Sequence, residues 1–403
     1  MGQRRDELLE RARALPELLF RADRQPVALK AQGARIYDVD NMGYIDYTGA
    51  GGAAIVGYAN QFILDAVRKV LGSGLPDGMH VPQEVELAES LQQFLPWASS
   101  LWLSRNQEEA LRRALQWVRL RTRRDGILVL DGGARLPVDV VGAISERERA
   151  PVREVPGWDL PQIEAALTAG ASKVGALVID PLMTRFGVIP PPEGVVRAIA
   201  DVCRRLGVLL VLDERVSGFR VDRGGAAAWL DVVPDVAVYG GALGGGFPIG
   251  VVAFRESAEA VMDADNGPVP APHPVSLAAA DAVLSILKNN TIYGRLEERA
   301  EQLTEGVSTL AARFQRPMLV NRIGSVFALF MSREPVCDVA AVDAADRAAY
   351  RRLADALQGE GVLLPQEAGG TAFVSSAHGA KDIEETLAVF ERVLLRLHKE
   401  DLP

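Results

Sequence analysis

Short apolar runs in this chain end in groups that can do chemistry. Ile127-Leu-Val-Leu130 leads to Asp131, Val174-Gly-Ala-Leu-Val-Ile179 to Asp180, Val208-Leu-Leu-Val-Leu212 to Asp213, and Val236-Ala-Val-Tyr239 to the pair Gly240-Gly241. A carboxylate can move a proton or hold a cation, and a glycine turn lets backbone approach a ligand closely. If the runs are parallel strands, these groups gather at the carboxyl edge of one sheet, where ligands of open α/β folds collect. His273 lies between prolines; an exposed loop histidine and a general acid or base are both open readings. His80 and His398 lack supporting neighbours in sequence. No His, Cys and carboxylate grouping has metal-ligand spacing, so no metal site is expected, and no GxSxG or Ser-His-Asp arrangement occurs.

The elements that would position these groups can be read from periodicity. A helical period runs over residues 4 to 20, and Gly33 to Asp40 and Tyr44 to Tyr47 alternate apolar and polar residues around Asn41-Met-Gly43, which predicts a hairpin. From about residue 84, helices alternate with the apolar strands, the pattern of a mostly parallel sheet covered on both faces. Beyond the proline-rich loop around residue 270, helices are expected near Ser276 to Leu287 and Tyr293 to Phe314. An α+β lobe then follows, with a strand over Gly324 to Met331, a helix over Ala344 to Gly359, a strand around Phe373 and a last helix over Ile383 to Leu397. The expected division is an N-terminal segment and part of a small domain at 1–75, a large α/β domain at 76–290, and a C-terminal small α+β domain at 291–403.

A chain of 403 residues that is 48% hydrophobic can bury a large core. Its formal charge of -9 argues against a nucleic-acid or anionic-membrane partner, which would need clustered Lys and Arg. The first ten residues are charged, without the apolar stretch of a secretion signal, and no run is long enough to span a bilayer; a cytoplasmic location is the expectation. Cys203, in a helical stretch, reads as a reduced, buried thiol.

Several stretches, in order, resemble the class III aminotransferases, with glutamate-1-semialdehyde aminomutase the nearest in pattern. Tyr37-Asp-Val-Asp-Asn-Met-Gly-Tyr-Ile-Asp-Tyr47 is similar to the family's YDVDGxxYIDY hairpin, and Ile189-Pro-Pro191 to its proline pair. Val211-Leu-Asp-Glu-Arg-Val-Ser-Gly-Phe-Arg220 resembles IIDEVxTGFR, Gly240-Gly-Ala-Leu-Gly-Gly-Gly-Phe-Pro-Ile-Gly250 resembles GKxxGGGxPxG, and Phe373-Val-Ser-Ser-Ala-His378 resembles FxSxAH. The resemblance implies a pyridoxal-phosphate-dependent transferase-like fold (fold-type I): a mostly parallel central sheet in a large domain, and a small α+β domain built from both chain ends. It also implies a homodimer, a small-molecule substrate, and a structural place for His378.

Against that pattern, residues that would hold the cofactor are changed. The lysine that forms the family's Schiff base falls on Gly241, and Lys30, Lys69, Lys173, Lys288, Lys381 and Lys399 lie in no comparable turn. The phosphate cradle NSGTEA aligns with Arg105-Asn-Gln-Glu-Glu-Ala110, so Asn106, Gln107 and Glu108 replace small residues and two carboxylates face an anion. Ala134 and Arg135 stand where an aromatic ring and a histidine would be, and the subunit-crossing Gly-Thr has become Pro272-His-Pro-Val-Ser276. Asp213 alone keeps its family type, a carboxylate for a pyridinium nitrogen; equally, it can be held by backbone N–H groups and Arg215 or Arg220 with no ligand. Glu214 should face the other side of the sheet as a salt-bridge partner.

The reading that follows is that no cofactor is expected, while noncovalent pyridoxal or pyridoxamine phosphate stays open through Asp213. Asp213, Arg135, Arg215 and His273 are the expected catalytic residues of a vacated pocket that would also be edged by Arg105, Glu108 and Arg185. Its chemistry would be pyridoxal-independent acid-base work, such as isomerisation, cyclisation, condensation or dehydration of a small carboxylated substrate in specialised metabolism. A noncatalytic pseudoenzyme, or the inert half of a heterodimer, is the alternative from another class.

Overall fold

In the computed structural model, residues 3–13, 26–76, 78–130, 152–155, 157–258 and 271–400 are described. Helix α1 (Gln3–Arg13) precedes the strands β1 (Ala28–Gln32), β2 (Arg35–Asp38) and β3 (Gly43–Asp46). The β2–β3 hairpin sits where the alternation predicts it, with Ile36 opposite Tyr44. Its turn is fixed by Asp38, whose Oδ1 accepts from the backbone N–H of Asp40 at 3.0 Å and of Met42 at 2.8 Å.

Next come α2 (Gln61–Gly72), α3 (Pro82–Phe94), β4 (Ser100–Ser104), α4 (Gln107–Thr122), β5 (Gly126–Leu130), β6 (Val152–Val155), α5 (Leu160–Gly170) and β7 (Val174–Ile179). They are followed by α6 (Val195–Leu206), β8 (Leu209–Glu214), α7 (Gly225–Trp229), β9 (Val236–Tyr239), β10 (Gly250–Phe254) and α8 (Pro274–Leu287). The seven strands of this region order as β4-β10-β9-β8-β7-β5-β6. From β9 to β6 the pairs are parallel, whereas β10 runs antiparallel to both β9 and β4. The sheet is therefore mostly parallel, and its strands alternate between two apolar layers. Ile127, Val129, Val178, Val211 and Val238 pack with Leu111, Ala114 and Trp117 of α4, while Leu128, Leu130, Leu177, Leu210 and Leu212 pack with Ile163 and Ile199 on the opposite face.

The C-terminal part comprises α9 (Thr291–Arg313), β11 (Leu319–Ile323), β12 (Val326–Phe330), α10 (Val339–Ala344), α11 (Arg347–Gly359), β13 (Val362–Leu363), β14 (Ala372–Phe373) and α12 (Ala380–Glu400). β13 pairs parallel with β3, so the two ends of the chain share one sheet. Tyr47 strengthens that join: its hydroxyl lies 2.8 Å from Thr386 Oγ1 and its ring stacks on His378 at 4.7 Å. Burial holds His378 down to about 4, so its imidazole is neutral and structural.

Arg220 ties the sheet to both chain ends. It is 1% exposed, donates through Nε to Gly52 O at 2.8 Å and through Nη1 to Val374 O at 3.3 Å, and lies over the Phe373 ring. Burial pulls the guanidinium down to about 9, which leaves it charged at neutral pH on carbonyl oxygens and an aromatic face. Arg220→Met strands those carbonyls without donors and is expected to cost about 2–5 kcal/mol in urea unfolding; a loss below about 0.5 kcal/mol contradicts this role.

Candidate active site

β8 carries Asp213 and Glu214 side by side, and the alternation of a strand sends them to opposite faces. Asp213, 5% exposed, reaches a cavity of about 770 Å³ at the carboxyl edge of the sheet. Its Oδ1 accepts from Arg215 Nε at 2.8 Å and from the Arg215 backbone N–H at 3.3 Å, and its Oδ2 accepts from Arg215 Nη2 at 2.8 Å. Arg215 is itself only 8% exposed. Burial works most strongly against its charge, but the carboxylates of Asp213, then Glu108 and Asp180, together outweigh it and hold the guanidinium above its ordinary range. Arg215 Nη1 lies 3.8 Å from Glu108 Oε1, a side chain half exposed at the start of α4.

Glu214 differs from its expected role as a salt-bridge partner. Fully buried, it accepts from the N–H of Ala226 at 2.6 Å, the N–H of Ala227 at 2.8 Å and Ser217 Oγ at 3.1 Å, satisfying the first turn of α7. Gly225 permits this approach, because a Cβ there would lie 2.4 Å from Glu214 Oε2. Burial pushes the Glu214 carboxyl up to about 7 against the pull of those donors.

At the end of β7, Asp180 accepts from the N–H of Leu182 at 3.0 Å and of Thr184 at 2.9 Å, and its carboxyl also faces the cavity. Burial, then the charge of Asp213, pushes it up to about 6. The turn after β9 is closed. Gly241 has φ of +40°, its N–H donates to Gln107 Oε1 at 3.2 Å, and a Cβ built on it would lie 2.5 Å from the Arg215 carbonyl oxygen. The start of α4 is capped by its own side chains: Asn106 Oδ1 accepts from the N–H of Glu109 at 2.8 Å, and Glu109 Oε2 from the N–H of Arg105 at 3.1 Å. Arg347 and Arg351 of α11, with Glu367 in the loop after β13, bring the C-terminal part of the chain to the cavity.

The residues singled out in the sequence separate here. Asp213, Arg215, Gln107, Glu108 and Arg185 meet at the cavity wall. His273 does not line it: as the cap of α8, its Nδ1 accepts from the N–H of Val275 at 3.3 Å. Arg105 donates to the Ala271 carbonyl at 3.1 Å. His80, expected to be alone, lies 3.0 Å from Glu84 Oε2 on the exposed surface. Asp131, Ala134 and Arg135 fall outside the described residues. The contributions of Arg347 and Arg351 were not anticipated; their spacing of four marks one helix face, but only the packing of α11 shows which surface that face meets. Among the described residues, no group of three or more His, Cys, Asp or Glu side chains is placed to hold a metal ion, and no helix is long and apolar enough to cross a membrane.

The family model for class-III aminotransferases matches residues 149–376. The chain belongs to the class-III aminotransferases. Among its relatives, glutamate-1-semialdehyde 2,1-aminomutase of Anaeromyxobacter dehalogenans is 31% identical over 383 residues, covering 89% of this chain and 88% of that protein. The aminomutase of Thermomicrobium roseum is 29% identical over 402 residues, covering 94% and 93%. A transaminase solved with pyridoxal phosphate bound superposes with a TM-score of 0.86 at 25% identity, covering 99% of each chain. These findings overturn the expectation that no cofactor is involved: the aminotransferase family and the bound structure point to pyridoxal phosphate. The physical reason is that a covalent anchor and noncovalent contacts are separate contributions: Gly241 speaks to the first, while Asp213 keeps the contact to a ring nitrogen.

Asp180 and Glu214 give the site a pH signature. Their carboxyls are raised from 3.8 to about 6 and from 4.5 to about 7, so between those values the native chain holds more protons than the unfolded one. Their contribution is therefore greatest at acid pH and declines as pH rises through that window. The stability difference between the protein and Glu214→Gln, measured by urea unfolding, should fall as pH rises from 4.5 to 7; a flat difference contradicts the raised carboxyl.

Proposed function

We propose that this class-III aminotransferase takes pyridoxal or pyridoxamine phosphate without a lysine anchor and acts on a small carboxylated substrate. The observation that carries the reading is Asp213, a buried carboxylate at the end of β8 with a cavity of about 770 Å³ in front of it. A pyridine nitrogen needs such a partner to stay protonated. The residues present fit the group at its ring nitrogen and do not fit a covalent bond, since Gly241 offers no amine and its turn has no room for a side chain. When bound, the group would supply a carbonyl or amine to condense with the substrate and a ring to withdraw electrons.

The chain's own side chains would do the rest. Asp213 Oδ2 would hold the proton on the ring nitrogen. Asp180, raised by burial to about 6, can take or return a proton near neutral pH, a task for which the turn after β9 has no lysine. Arg347 and Arg351 line the same cavity from the small domain and suit a substrate carboxylate. A second copy of the chain would cover the exposed apolar side chains Phe62, Leu71, Met79 and Val85 of the region from α2 to α3. Phe62→Asp should then shift the mass in light scattering from dimer to monomer, and an unchanged mass removes this surface from the interface.

Equilibrium dialysis with pyridoxamine phosphate, followed by its absorbance, tests the main reading. The protein should retain the compound, Asp213→Asn should weaken retention by about tenfold or more, and borohydride treatment with pyridoxal phosphate should leave no lysine modified. Absence of retention, or a reduced adduct on a lysine, overturns it.

A further inference from the structure

We infer that Arg215 is a latch on Asp213, and that Glu108 is the second seat to which its guanidinium moves when Asp213 receives a ring nitrogen. The inference rests on the proposed reading of the cavity and deepens it. An ionised carboxylate has about four lone-pair directions. Three of those on Asp213 are used by one residue: the backbone N–H and Nε of Arg215 on Oδ1, and Nη2 on Oδ2. A cation approaching Asp213 from the cavity therefore meets an arginine already seated on both oxygens. Such a pair of buried charges does not separate cheaply, because each partner left alone loses its compensation in a poorly solvated site.

The arrangement also contains the means to open. Glu108 Oε1 lies 3.8 Å from Arg215 Nη1, and the Glu108 side chain is half exposed where that of Asp213 is 5% exposed. It sits at the start of α4 on the cavity wall, already within ion-pair distance of Nη1, so Arg215 would exchange one carboxylate for another with a counter-charge always at hand. Arg215 is thus a positioning residue that sets how available Asp213 is. Glu108, which looks at first like a repulsive intruder beside an anion, acts as the holder of the open state. The two positions are coupled: the effect of one substitution depends on the other.

Equilibrium dialysis of pyridoxamine phosphate against four proteins tests this: the native chain, Arg215→Val, Glu108→Gln and the double variant. Arg215→Val should bind at least about tenfold tighter than the native chain, because Asp213 is then unlatched. Glu108→Gln should bind about threefold to tenfold weaker in the native background and should have no effect in the Arg215→Val background. Arg215→Lys, which cannot span both oxygens, should fall between the native chain and Arg215→Val and guards against a folding defect in the valine variant. Equal or weaker binding by folded Arg215→Val overturns the latch, while retention by the native chain would leave the proposed function standing. Binding by Arg215→Val alone supports the latch and removes the claim that the native chain takes the compound. A Glu108→Gln effect that persists without Arg215 assigns Glu108 to direct ligand contact and overturns its part.

Discussion

The site is organised around the buried ion pair of Asp213 and Arg215. Asp213 is placed by the parallel strand β8 at the edge where ligands of such sheets collect, and the same strand buries it. At 5% exposure the carboxylate has to be balanced by hydrogen-bond donors or a cation from the protein or a ligand. In this chain Arg215, two residues on, does so with two side-chain hydrogen bonds of 2.8 Å. The geometry of Arg215 also sets its surroundings: its carbonyl oxygen lies where a side chain at Gly241 would need to be, and its outer nitrogen faces Glu108. Gly241 and Arg215 are therefore neighbours in space, although they stand twenty-six residues apart (241 minus 215) in the chain.

Losing a covalent anchor and losing a ligand are different events. A Schiff base fixes where the group sits, whereas its ring nitrogen and phosphate are held by contacts of their own. Gly241 offers no amine at the turn after β9, where its N–H donates to Gln107, and the start of α4 is capped by its own side chains. Neither feature removes Asp213 or the cavity.

Much of the fold could be read because the pattern and the burial coincide. β7 is six apolar residues, all buried, and β9 four; each is covered on both faces and appears in sequence as an unbroken run. The hairpin at Asn41 was legible from the apolar-polar alternation of its sequence around a turn, although Tyr44, Ile45 and Asp46 are all buried. β10 is a buried apolar run as well, but nothing in such a run states its direction, and its antiparallel place between β9 and β4 is set by the turn through Gly244 to Gly246. β11, Leu319-Val-Asn-Arg-Ile323, is mostly half-buried and mixed in polarity, so it carries little signal. The site was legible in its residue types and not in its pairings. Arg215 was one of two candidate partners for Asp213, and only the structure turns Arg220 away toward Gly52 and Val374. Glu214 meets backbone groups of α7, a choice fixed by the fold and invisible in residue type.

Crystal structures of this protein alone and soaked with pyridoxamine phosphate would test the central claim most directly. The account requires Arg215 on both oxygens of Asp213 in the first, and in the second the ring nitrogen on Asp213 with the guanidinium turned to Glu108. Pyridoxamine phosphate lodged elsewhere with the Arg215–Asp213 pair intact, or Asp213 unpaired in the protein alone, would contradict it.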